Sequence, residues 1–124
     1  MSFAVEVLPE DRLVRAKWYG ASDSDDARAA VAVIRSEIGA HPVEGVLIDL
    51  RGARYALTPD EAADVGMEFA SFLGRRRLAF LTTSPADERV VRLIARRAAP
   101  EGIEVDVFRD EHSAMEWLHS PDFD

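Results

Sequence analysis

Hydrophobic and polar positions alternate from the start of the chain. Phe3, Val5 and Val7 are separated by Ala4 and Glu6, and after Pro9-Glu10-Asp11 a second run alternates through Val14, Arg15, Ala16, Lys17 and Trp18. Two period-two runs around a Pro/Asp turn predict an antiparallel hairpin, since successive side chains of a strand point to opposite faces. The period then changes. A loop over residues 20–26, rich in Ser and Asp, precedes Ala27, Ala30, Val31, Ile34 and Ile38 at helical spacing, and Gly39 with His41-Pro42 stops that helix. The acids at its start suit the positive end of a helix dipole.

Residues 43–61 organise the rest of the chain. A short apolar run, Val46, Leu47, Ile48 and Leu50, carries Asp49 near its end, breaks into Arg51-Gly52-Ala53-Arg54-Tyr55, and restarts as a helix after Thr58-Pro59. A buried strand, a loop at its C-terminal end and a capped helix start form the region where open α/β sheets usually meet ligands and partners. The helix from Pro59 places Ala62, Gly66, Phe69, Ala70 and Leu73 on one face, with Gly74 closing it. Residues 78–82 read as a second continuous apolar strand. A third helix, capped by residues 83–87, buries Val90, Val91, Ile94 and Ala98. Ile103, Val105 and Val107 alternate with Glu104 and Asp106 as a strand, and Asp110 or Glu111 opens a last helix through Ala114, Trp117 and Leu118. The order β-β-α-β-α-β-α-β-α predicts one α/β domain over residues 1–124. Its sheet is mixed but mostly parallel, joined by right-handed crossover helices.

Composition narrows the partners. The net charge of −8 over 124 residues argues against general nucleic-acid binding, which needs a basic surface. The charge is uneven: residues 75–97 hold seven Arg against Asp87 and Glu88, so the remainder carries −13. That asymmetry is read as a solvated helix surface, with an anion-binding or partner-binding face as the sharper alternative. With no run of about 18 apolar residues, no membrane insertion is expected. No signal peptide is apparent, and the absence of cysteine removes thiolate catalysis and is compatible with a cytoplasmic location.

The hairpin, the strand with its VLIDLRGARY sequence, the helix-opening TPDE and the ending DVFRDEHSAMEWL together resemble the STAS family, the anti-sigma-factor-antagonist or SpoIIAA-like fold. The resemblance covers nearly the whole chain and implies a non-enzymatic module. Antagonist members bind a kinase-like anti-sigma partner, switched by phosphorylation of a Ser or Thr at the helix start after the third strand. This chain departs from the family's Asp-Ser-Ser-Gly-like motif. Apart from the Tyr55 phenol, Thr58 is the only hydroxyl near the equivalent place. The chain therefore looks closer to uncharacterised relatives that share the fold without the switch.

Read from the residues, Thr58-Pro59-Asp60-Glu61 is a capping box with Pro at the first helical position. The functional alternative is an exposed helix N-terminus that binds an anion or accepts a phosphate, near Arg51 and Arg54 but repelled by Asp60 and Glu61. Ser84-Pro85-Ala86-Asp87 repeats the opening with Asp at the third position. Asp49 pairs with Arg51, Arg54 or a backbone amide more readily than it serves as a lone general base. Tyr55 and Trp18 are core edges, or line a small apolar pocket or dimer contact. No His pair, nucleophile elbow or Gly-rich phosphate loop is present, so no enzyme activity and no cofactor or metal are expected. The candidate binding or regulatory residues are thus Asp49, Arg51, Arg54, Tyr55, Thr58 and Asp60. The expected partner is a protein or a second copy of the chain. The alternative is a small apolar or anionic ligand held between the sheet and the helix after Pro59.

Overall fold

In the computed structural model, which describes residues 2–121, the hairpin is β1 (Ser2–Leu8) and β2 (Leu13–Ser22), antiparallel with Val5 opposite Ala16. The helix α1 (Ser24–Ala40) leads to β3 (Gly45–Asp49), and a short strand β4 (Ala53–Tyr55) precedes α2 (Pro59–Ala70). Then come β5 (Arg77–Leu81), α3 (Pro85–Ala98), a 3-10 turn, β6 (Val105–Phe108) and α4 (Glu111–His119). The sheet runs β1-β2-β3-β5-β6, with β4 paired to β2 off that path. Every pair except β1–β2 is parallel.

The expected element order holds with one correction. Residues 53–55, read as loop, form β4, and β2 runs on through Ser22 where a loop was expected because β4 pairs with its last three residues. No three-residue strand shows a period, so alternation along the sequence could not reveal it. Between the pairs Lys17–Asp49 and Gly20–Ala53, three steps along β2 face four along the other side. The extra residue is absorbed in a turn closed by the Ala53 amide donating to Leu50 O at 3.0 Å, with Gly52 at φ +81°. A side chain at that φ would be strained.

The strand order never reverses from β2 to β6. Right-handed crossovers must then place α1, α2 and α3 on one face. There Val14, Ala16, Trp18, Val46, Ile48 and Phe80 meet Ala30, Ile34, Phe69 and Ile94 in the main core. The α1 face read from helical spacing is the buried face observed. On the other face α4 covers a smaller cluster of Leu13, Leu47, Ala79 and Leu81 with Ala114 and Leu118. Strand parity explains the division: Leu47 and Asp49 point towards the α4 side, Val46, Ile48 and Leu50 towards the main core.

Candidate functional site

The segment from Asp49 to Glu61 is fixed from both sides of the sheet. On the α4 side lies Asp49, a carboxylate with no exposed surface at the end of β3. Register sets Lys17 directly opposite it, and Lys17 Nζ donates to Asp49 Oδ2 at 3.1 Å. The Arg51 backbone amide and Nε donate to Asp49 Oδ1 at 3.0 and 3.1 Å, and Arg51 Nη2 donates to Oδ2 at 3.0 Å. Arg15 Nη2 stands 3.5 Å from Oδ2 and 2.7 Å from Glu111 Oε1 on α4. Burial alone would raise the Asp49 pKa, but donation from Arg51 and Lys17 outweighs it and holds the carboxyl at about 2. Asp49 is therefore an ionised hub with its lone pairs engaged. As expected, it pairs with Arg51; Arg54 takes no part.

On the helix side the anchor is Tyr55, only 2% exposed. Its ring packs edge-on against Trp18 at 6.0 Å between centroids, and against Phe80 at 6.5 Å. Its backbone amide donates to Asp87 Oδ1 at 2.9 Å, and Ser22 O accepts from the Ala56 amide at 2.9 Å. Tyr55 therefore positions the segment from within and offers no surface to a partner. Its phenol pKa is pushed up by burial and by the charge of Asp87. Asp87 is itself buried, and burial raises its pKa against the lowering effects of the Tyr55 amide and Arg54. Asp87 Oδ2, Ser22 Oγ and Trp18 Nε1 are buried without a hydrogen-bond partner.

Around and after these anchors the surface is charged. Arg54, Thr58 and Asp60 are exposed. Thr58 Oγ1 accepts from the Glu61 amide at 3.2 Å, while Glu61 Oε1 accepts from the Thr58 amide at 2.9 Å, completing the capping box. Ser84 caps α3 at 3.3 Å, but the Asp87 side chain does not return to that cap. It reaches across to β4 instead. The sequence pattern is the same at both helices; only the fold gives Asp87 a different acceptor role.

Of the six residues singled out from sequence, the structure gathers Asp49 and Arg51 in one ion network and leaves Arg54 on β4 and Thr58 and Asp60 at the start of α2 exposed. Tyr55 lies inside. Sequence reasoning missed Arg15, Lys17, Glu111 and Asp87. Arg15 and Lys17 carried a usable signal: both fall on the polar face of an alternating strand, where one buried carboxylate on the next strand can serve both. Among the described residues, no group of three His, Asp or Glu side chains is placed to hold a metal ion. No helix among them is long and apolar enough to cross a membrane.

A helix layer on one face of a mostly parallel sheet and a last helix on the other define a mixed α/β domain of the SpoIIAA-like fold. The chain belongs to the SpoIIAA-like family, whose model matches residues 13–119. No curated protein matches it by sequence. Among solved structures it is similar to the anti-sigma factor antagonist SpoIIAA in its unphosphorylated form, with TM-score 0.68 and 14% identity over 94% of this chain and 96% of that one. An uncharacterised DUF3478 protein of SpoIIAA-like fold from Shewanella loihica gives TM-score 0.61 and 19% identity over 94% and 92% of the two chains. The Bacillus cell fate determinant SpoIIAA in its phosphorylated form gives 0.59 and 16% over 95% and 100%. At these identities the likeness is one of fold.

Proposed function

We propose that this chain is a non-enzymatic binding module that acts through protein contacts at the outer surface of the β3–α2 connection and the start of α2. The observation that carries the reading is the pinned segment. Asp49 and Asp87 hold the backbone on either side of Arg54, Tyr55 fills the core beneath, and the capping box holds Thr58 at the start of α2. A rigid, charged surface loses little conformational freedom on binding, which favours association with another protein. The likeness to an anti-sigma factor antagonist points the same way.

A small ligand beneath α2 has less support. Phe69 and Leu73 have no exposed surface, and a Cβ on Gly66 would stand 2.9 Å from Ile94 O, so α2 and α3 are in close contact. A sheet whose order never reverses also lacks the crevice that opens at a topological switch point. Thr58 is already engaged as a cap, and a phosphate there would meet Asp60 and Glu61. The proposed contact is therefore independent of phosphorylation.

The test is site-specific photocrosslinking in the protein's own host, with the crosslinker at position 54 or 60 and at position 33 on α1 as control. The expected result is one protein adduct from 54 and 60, absent from 33, and weakened when Arg54→Glu is combined with the crosslinker at 60. Equal labelling from all three positions, or none from 54 and 60, would refute the site. Mass spectrometry of the purified chain is expected to show no phosphate on Thr58, and its presence would overturn the phosphorylation-independent reading.

A further inference from the structure

The free edge of the sheet at β6 has features that the proposed site does not use. The Leu78 amide donates to Glu104 O and the Thr82 amide to Phe108 O, each at 3.0 Å. In a parallel ladder alternate residues bond to one neighbour. Glu104, Asp106 and Phe108 thus turn their backbone groups to β5, while Val105 and Val107 turn theirs outward. Beside this edge runs a groove of about 740 Å³, floored by Ala95, Ile103 and Val105, with Arg92 and Arg96 of α3 on one rim and Trp117 of α4 on the other.

The α3 rim is basic, while Glu104 and Asp106 line the groove on the β6 side, with Glu104 paired to Arg77. Arg92 meets only Glu88, at 3.7 Å and largely exposed, and Arg96 has no ion pair among the described residues. The two arginines lie four apart on one helix face, where like charges repel. We infer that the β6 edge and the α3 rim form a second docking surface, one that adds an extended acidic segment of a partner protein as a further strand. Backbone pairing would use the outward groups of Val105, and the arginines would select acidic side chains on the α3 side. A second copy fits poorly. Antiparallel β6–β6 pairing about a twofold axis keeps both α3 helices on one side of the joint sheet and sets Arg92 and Arg96 against their own counterparts.

Asp106 tempers the edge. Its Oδ1 accepts from the Val107 amide at 2.8 Å, closing one of the outward donors against indiscriminate pairing. An incoming strand must displace it.

The test titrates the full chain with a blocked hexapeptide alternating glutamate and valine, and with its lysine–valine counterpart. It follows the Val105 and Val107 amides by NMR and Trp117 by fluorescence. The glutamate peptide is expected to bind about tenfold more tightly than the lysine peptide, with Arg92→Glu plus Arg96→Glu reversing the order. Val105→Pro removes an outward donor at an edge position that tolerates proline, so it is expected to weaken binding about tenfold in a chain still folded by circular dichroism. Asp106→Ala frees the Val107 amide and is expected to tighten binding severalfold. Absence of binding at millimolar peptide, equal binding of both peptides, or binding unchanged by Val105→Pro would overturn the inference. So would sedimentation showing a dimer that Val105→Pro dissolves, since the occupant would then be a second copy.

Discussion

Asp49→Asn tests whether the ionised hub holds the β3–α2 connection. The substitution keeps the side-chain volume, removes the negative charge, and sets an amide among the donors of Arg51, Lys17 and Arg15. The carboxyl falls from 3.8 to about 2 on folding, which corresponds to about 2.4 kcal/mol of stability from the charge. The carboxylate has no exposed surface, but its three cationic partners are a quarter to a third exposed, so solvent screening makes this figure an upper one. The sign is set by the lowered value. The contribution is fully present above pH 3.8 and is lost as pH falls through about 2. Urea unfolding of both chains at a series of pH values is the assay. At pH 7 the variant is expected to be about 2 kcal/mol less stable, and the two chains are expected to converge as pH falls from about 4 to 2. A gap that stays constant down to the acid end would mean that the loss comes from packing or geometry. No gap at pH 7 would mean that the hub does not hold the segment.

Three further outcomes are expected from the same unfolding assay. Thr58→Ala removes the cap acceptor for the Glu61 amide and is expected to cost about 1 kcal/mol, read as a lower urea midpoint at unchanged slope. Gly66→Ala sets two effects against each other: helix propensity favours Ala by about 1 kcal/mol, but its Cβ would stand 2.9 Å from Ile94 O, a backbone atom that cannot swing away. Net destabilisation of about 1–2 kcal/mol is expected, and a stabilised variant would refute the close approach of α2 and α3. Asp87→Asn keeps an oxygen for the Tyr55 amide and removes a buried charge whose pKa is raised, so its sign is opposite to that at Asp49. It is expected to raise stability at neutral pH, with the gain vanishing as acid protonates the native carboxyl.

Sequence and structure agree on most elements whose period could be read, except that α2 ends at Ala70 and does not run on to Leu73. The buried positions of α1, the apolar run of β3, and the cap at Thr58 all come from residue types at fixed spacing. What escaped depends on partners far away in sequence. β4 exists because it finds the end of β2, and the Asp87 carboxylate reaches the Tyr55 amide 32 residues away. The burial of Tyr55 agrees with its reading as a core edge and excludes it from the outer surface. Truncating Tyr55 would cost about 3–5 kcal/mol, so a test of the outer surface changes Arg54 and leaves Tyr55 in place.

Asp49 and Asp87 show why residue type alone could not assign the site. Both are buried carboxylates, and burial pushes both pKa values up. At Asp49, β2 and the β3–β4 turn bring three cations and an amide to the same two oxygens, so the charged form wins. At Asp87 one oxygen receives the Tyr55 amide and the other has no partner, so burial prevails. The two acids nevertheless do related work, because Asp49 holds the backbone just before β4 and Asp87 holds β4 itself. Their separation across the sheet fixes the position of the chain between them and its tilt. A segment fixed at only one end would swing about that anchor and carry Arg54 with it. Fixed at both, it keeps Arg54 in one place on the outer surface. The fold thus separates its ionisable groups: Asp49 and Asp87 inside set the geometry of the backbone, and Arg54 outside is left to solvent and to the contact proposed above.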